Sequence, residues 1–188
     1  MDKIVLDIET KNFFEDVGGR DNVGKIEVSV VGIYSFDQDK YIAFDEHEME
    51  KLAELLKRTQ LIITFAGARF DMLVLEKYFS FNIFSIDHFD ILEEVEKNLG
   101  RRIGLGILAE ANLGVGKTGQ GGEAIEMYKQ GEIQKLKDYC LQDVKITKDL
   151  YELIKKQAYL WIPERNTSRM TKLAIEYKEE LSSQNQLI

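Results

Sequence analysis

An α/β fold, a mixed β-sheet covered by α-helices, is predicted for this 188-residue chain by three observations. Short apolar runs with strand character crowd the first third of the sequence. Strand and helix patterns then alternate through the middle. The remainder carries helical spacing almost throughout, which supplies the covering layer.

The elements follow in order. Lys3–Glu9 reads as a strand, as do residues 26–35 and 40–44, and their spacing fits a meander. Residues 11–25 hold Phe13-Phe14, an acidic pair and Gly18-Gly19, the composition of a long surface loop. Residues 46–59 place Met49, Leu52, Leu55 and Leu56 at helical spacing ahead of a buried strand over 61–65. A helix over 69–79, a short strand over 83–86 and a helix over 89–99 closed by Gly100 come next. Residues 105–113 and 121–130 give two short helices, and 132–157 a long one. The turn marked by Trp161 and Pro163 leads into a final helix from about 163 to about 181, and a polar stretch from about Ser182 frays.

With 188 residues, 44% of them hydrophobic, the chain is long enough for one well-buried core and short for two, so residues 1–188 read as a single domain. No segment approaches the roughly 20 continuous apolar residues that a membrane span needs, which removes a membrane from the expected partners. The strand pattern starting at Lys3 leaves no space for a signal peptide. A lone cysteine, Cys140, excludes an intramolecular disulfide and a zinc site built from cysteines, so a reducing, cytoplasmic setting is expected. The net charge of −8 argues against a broad basic surface for duplex nucleic acid. That argument weakens where the acids themselves bind cations, because two divalent ions remove four negative charges at the point where phosphate must approach.

Such acids are present. Asp7 and Glu9 lie two apart in a strand, so both side chains project from one face. Asp71 opens a helix after a buried strand. In the long helix, Asp143 falls on an otherwise apolar stripe with Tyr139, Ile146, Leu150 and Leu153, and a carboxylate buried there is costly without a partner. Tyr139, four residues before it, shares its helix face. Hard oxygen donors of this kind suit magnesium or manganese, here as a pair of divalent ions.

With those residues placed, the chain resembles the DEDD superfamily of 3′-to-5′ exonucleases on the ribonuclease H-like fold, in its tyrosine (DEDDy) subtype. Asp7-Ile8-Glu9-Thr10 is similar to the first motif, Phe70-Asp71 to the second, and Tyr139-Cys140-Leu141-Gln142-Asp143-Val144 to the third. The likeness runs from Ile4 to about Leu153 and includes Leu105-Gly106-Ile107-Leu108-Ala109. It extends to small stand-alone or helicase-associated members in bacteria and archaea. The resemblance implies a catalytic set of Asp7, Glu9, Asp71, Tyr139 and Asp143, with the four acids as metal ligands and Tyr139 orienting the nucleophile. It also implies a single-stranded DNA or RNA 3′ end as substrate, nucleoside 5′-monophosphates as products, and a helicase or similar nucleic-acid-processing protein as partner. Ala66 departs from the asparagine many members carry five residues before the second-motif aspartate. Asp138 stands where the histidine subtype needs its histidine.

Other features invite plainer readings. Singly, Asp7 and Glu9 fit an exposed strand face, Asp71 a helix-start acid, Tyr139 a core ring with its hydroxyl at the surface, and Asp143 a solvated position on a rotated helix. Residues 114–118, Gly-Val-Gly-Lys-Thr, hint at a phosphate loop, but the pattern needs a glycine at position 111, which is Ala111. A flexible loop near the site, with Lys117 touching phosphate, is the better reading. Arg101 and Arg102 are further candidates for phosphate contact, and Phe13 or Phe14 for stacking on a terminal base. His88 and His47 read as structural and solvated, and Cys140 as inert core. Competing functions are a non-catalytic relative that binds nucleic acid or protein, an endonuclease of the same fold, and a nucleotide-binding switch.

Overall fold

The protein was analysed as a computed structural model that describes residues 2–116, 122–165, 167 and 169–177. Along the chain run β1 (Asp2–Thr10), β2 (Val28–Ser35), β3 (Lys40–Asp45), α1 (Met49–Leu56), β4 (Thr59–Thr64), α2 (Asp71–Leu75), β5 (Asp87–Asp90) and α3 (Ile91–Leu99). They are followed by α4 (Leu105–Leu113), α5 (Glu123–Lys129), α6 (Ile133–Gln157), β6 (Tyr159–Pro163) and β7 (Met170–Ala174). β1 to β5 form one mixed sheet in the order β3-β2-β1-β4-β5. β1 pairs antiparallel with β2 and parallel with β4, and β4 pairs parallel with β5.

The near-continuous apolar run of β1 follows from burial on both sides. Ile4, Leu6 and Ile8 pack with α1 and α2 through Leu52, Leu56, Met72 and Leu75. Val5, on the opposite face, packs with α3, α4 and α6 through Val95, Leu108, Val144 and Leu150. Alternation therefore turns Asp7 and Glu9 toward the face that α6 covers. α1 shows why helical spacing succeeds as a guide: all four apolar residues, Met49, Leu52, Leu55 and Leu56, are buried, each worth about 1.5–3 kcal/mol if fully removed from water.

Gly32 sets how closely α6 lies on the sheet. It sits opposite Asp7 in the β1–β2 ladder. A Cβ at this position would fall 2.9 Å from Cys140 Sγ, closer than real Cβ contacts come, and a tight 3.0 Å from Val144 Cγ2. An isolated glycine inside a strand pattern is the sequence mark of such close approach.

Three expectations need correction. The final helix from Pro163 does not form over the described residues: β6 and β7 make an antiparallel hairpin there, with Leu160 opposite Leu173. The period is two, since Leu160, Ile162, Leu173 and Ile175 are buried while Trp161 and Lys172 point outward. Residues 178–181 of that expected helix lie outside the described residues. The strand expected over 83–86 is a 3-10 turn, Ile83–Ser85, held by Asn82 accepting from the Phe84 N–H, and pairing starts only at Asp87. The helix expected over 69–79 breaks into a 3-10 turn at Gly67–Arg69, the short α2, and a second 3-10 turn at Glu76–Tyr78. Among the described residues no helix is long and apolar enough to cross a membrane.

Candidate functional site

A cleft of about 540 Å³ opens beyond the C-terminal ends of the parallel strands β1 and β4, the usual position for ligands in open sheets of this kind. Its walls include Asp7 and Glu9 from β1, Asp71 from α2 and Asp143 from α6. Arg20, Arg69 and Arg102 face the same space, together with Phe14, Phe65 and Phe70. Four acids from three separated segments thus share a cleft with three arginines. Possible ligand atoms of Asp7, Glu9 and Cys140 lie within 4.8 Å of one another, although Cys140 is fully buried and not among the residues that line the cleft. Asp71 and Asp143 line the cleft without joining that set.

Two of these acids are buried. Asp71 is 6% exposed and Asp143 5%. Burial pushes the Asp71 carboxyl well above the usual carboxylate range, and the negative charges of Asp90 and Glu9 push it further. Asp71 Oδ2 has no hydrogen-bond partner among the described residues, and a buried polar atom without a partner is destabilising by about 1–3 kcal/mol. An orphaned carboxylate oxygen beside other hard oxygen donors fits a divalent cation such as magnesium or manganese.

A family model described as the RNase_H superfamily matches residues 4–155. The chain belongs to the RNase_H superfamily. Its five-stranded mixed sheet with flanking helices is a ribonuclease H-like fold. Among solved structures, it is similar to the family B DNA polymerase from the hyperthermophilic archaeon Pyrobaculum calidifontis, with a TM-score of 0.63 at 16% identity. That likeness covers 82% of this chain but only 24% of the polymerase. No curated protein sequence matches.

In this RNase_H-superfamily chain, Asp90 governs the approach to Asp71. Its carboxylate accepts from the N–H groups of Ala66 and Ala68, each at 2.9 Å, and also caps α3 through the N–H groups of Leu92 and Glu93. Ala66 is held at φ +69°, a left-handed conformation uncommon for alanine. The segment from β4 to Asp71 is therefore fixed by backbone hydrogen bonds to one buried side chain.

Other candidates divide. Tyr139 is half-buried and packs against Val30, Ala124, Leu136 and Cys140, outside the residues that line the cleft. Arg102 lines the cleft, whereas Arg101 donates to the Pro163 carbonyl and ties down the hairpin. Phe14 forms part of the wall, with the Arg20 guanidinium 4.9 Å from its ring centre. Phe13 is exposed and lies against Gly122. His88 hydrogen-bonds Thr64 Oγ1 at 2.8 Å, and burial holds its pKa below the usual value. His47 is exposed at the approach to α1. Trp161 belongs to β6, where the Asn112 side chain bonds both its N–H and its carbonyl. Lys117 lies outside the described residues. Sequence reasoning missed Arg20, Arg69 and the Asp90 anchor. The first two carry no local signal, but Asp90 just before an apolar helical run is a readable N-cap.

Proposed function

We propose that the chain is a metal-dependent 3′-to-5′ exonuclease that hydrolyses phosphodiester bonds at single-stranded DNA or RNA ends and releases nucleoside 5′-monophosphates. The observation that carries this reading is the cleft in which Asp7, Glu9, Asp71 and Asp143 converge, with an Asp71 oxygen buried and unpartnered. Membership of the RNase_H superfamily supports nuclease chemistry.

In this reading Asp7, Glu9, Asp71 and Asp143 hold a pair of magnesium or manganese ions. When bound, such ions supply an acidified water, stabilise the departing oxygen and neutralise phosphate charge. Arg20 and Arg102 bind the phosphate backbone from the facing wall, and the rings of Phe14 and Phe70 bear against the terminal base. Tyr139, one helical turn before Asp143, orients the attacking water through its hydroxyl. The Asp90 anchor holds Asp71 in position.

One assay tests the reading: the purified chain with 3′-labelled, 5′-labelled and circular single strands of DNA and RNA, with magnesium, manganese or EDTA. Stepwise loss of mononucleotides from the 3′ end, abolished by EDTA, is expected. Cutting of the circle would instead indicate an endonuclease, and binding without hydrolysis a non-catalytic relative. A helicase or another nucleic-acid-processing protein is the partner this activity would serve.

A further inference from the structure

Among the described residues six large hydrophobic side chains are exposed, and four of them, Ile107, Val115, Trp161 and Met170, gather around one groove. This second groove, of about 690 Å³, lies between α4 and the β6–β7 hairpin. Ile107 and Met170 line it with Gly104, Gly106, Pro163 and Gly116, the residue after Val115. Strand pairing fixes which residues share the hairpin's outer face: Pro163 lies opposite Met170, and Trp161 opposite Lys172, two residues along each strand. The alternate residues Leu160, Ile162 and Leu173 are sunk in the core. Single exposed apolar residues are ordinary on a protein surface, whereas a contiguous group of them marks a contact site.

The groove adjoins the acidic cleft. Arg102 lines the cleft and Gly104 lines the groove, and two residues span at most about 7–8 Å between Cα atoms. Arg101 donates to the Pro163 carbonyl, and Asn112 bonds the N–H and the carbonyl of Trp161, so the hairpin is held against α4 and the segment that carries Arg102. The rim is basic in a chain whose net charge is −8. Arg165 and Arg169 are exposed in the turn just beyond Pro163 and Met170. The Lys172 ammonium stands 3.9 Å from the centre of the Tyr159 ring, which packs edge-on to Trp161. Glu164, in the same turn, accepts from the Thr171 hydroxyl at 2.9 Å, and Glu110 is the one acid among the described residues that line the groove.

We propose that this groove is the track along which a single strand of nucleic acid enters the cleft, binding the nucleotides upstream of its 3′ end. Trp161 and Met170 bear on the bases, and Arg102, Arg169 and Lys172 run along the phosphates, the pairing of aromatic platform and basic rim that single strands require. Glu110 repels phosphate from the floor. The basic rim and its continuity with Arg102 favour a polyanion over an apolar protein segment. The proposal deepens the exonuclease reading and rests on it for the direction of the strand. Because the hairpin is anchored in the core by its other face, the platform is in place before a strand arrives, and the hold on a substrate grows with the length of that substrate.

Trp161 is the chain's only tryptophan, so its emission reports on the groove. The full chain in magnesium is titrated with oligothymidylates of about three and about twelve nucleotides, carrying phosphorothioate links that resist cutting. The long strand alone should quench Trp161, and it should bind at least about tenfold more tightly than the short one. In polarisation of a labelled long strand, Trp161→Ala should bind at least about fivefold more weakly, while hydrolysis of an unmodified trinucleotide stays unchanged. Arg169→Ala and Lys172→Ala should each flatten the dependence of long-strand affinity on salt. Circular dichroism on each variant checks folding, and the length dependence of the unaltered chain stands without any variant. Unchanged Trp161 emission at saturating long strand overturns the proposal, as does equal affinity for the two lengths. So does an emission that moves with chain concentration and not with the strand, the mark of a second copy seated in the groove. Hydrolysis is measured separately: length-dependent quenching without hydrolysis refutes the exonuclease alone, and hydrolysis without length dependence refutes the track alone.

Discussion

Carboxylates meet opposite surroundings at two places in this molecule. Where β3 runs into α1, Lys11 pairs with Glu46, which also accepts from the Tyr128 hydroxyl at 2.6 Å, and Lys137 pairs with Asp45 at 2.9 Å and Glu48 at 3.3 Å. Lys51, the Asp45 N–H and Lys137 together hold the Glu48 carboxyl down at about 2, and Lys11 and Tyr128 lower that of Glu46. In the cleft the neighbours of Asp71 are other acids, and its carboxyl is pushed up. The protein neutralises the first group with its own lysines. Around Asp71 the nearest charges that act on its carboxyl are negative, although Arg20, Arg69 and Arg102 line the same cleft. In the proposed reading the same residue type is a brace in one region and a ligand in the other.

The largest expected effect tests that division at the chemistry. Asp7→Ala or Asp143→Ala should reduce metal-dependent release from a 3′-labelled single strand to background, while Lys137→Met in the brace leaves it measurable. Equal loss in all three would erase the contrast.

Gly32→Ala comes next. The added methyl meets Cys140 and Val144, and overpacking of this kind is destabilising by about 1–3 kcal/mol. Because α6 must lift from β1, manganese affinity measured by calorimetry should fall along with the melting temperature. Retained affinity would mean that helix seating does not set the spacing of the acids.

Asp71→Asn should act in the opposite direction on the cation-free protein. A carboxyl whose folded pKa is raised contributes stability that is present below its unfolded value and lost as pH rises through the folded one. Removing that ionisation should stabilise the EDTA-treated protein at pH above the folded pKa, by about 1 kcal/mol, or about 2–4 °C in a chain of this size. The gain on adding magnesium or manganese should shrink in this variant. A destabilised, cation-free Asp71→Asn protein would contradict the ligand role.

The smallest effect belongs to the brace. Glu48 has a depressed carboxyl, so its stabilisation is present above the ordinary glutamate range and is lost as pH falls toward about 2. Lys137→Met should remove part of this, about 1 kcal/mol or less for a partly exposed pair, and move the midpoint of acid unfolding to higher pH. An unchanged midpoint would show the brace to be passive.

Much of the arrangement was legible from residues alone. β1 displayed Asp7 and Glu9 at a spacing that fixes their face, and the buried stripe of α6 made Asp143 conspicuous, because both periodicities are local. The Gly18–Arg20 turn that brings Arg20 to the cleft depends on tertiary contacts no window of sequence contains. β7 was mistaken for helix, and β6 for the turn before it, because five-residue strands leave too few repeats to separate period two from period 3.6. Cys140 reads as core from the sequence and is buried with Val30, Ala124 and Leu136, whereas its closeness to Asp7 depends on the approach permitted at Gly32, which no window of sequence contains.

Asp90 ends β5, begins α3 and restrains the backbone at Ala66 and Ala68 with a single carboxylate. α3 is tied to the cleft a second time where Glu93 and Glu96 pair with Arg69, which lines it. The β5 edge of the sheet and the start of α3 are thereby coupled to the segment that carries Asp71, one of whose oxygens is buried without a hydrogen-bond partner among the described residues.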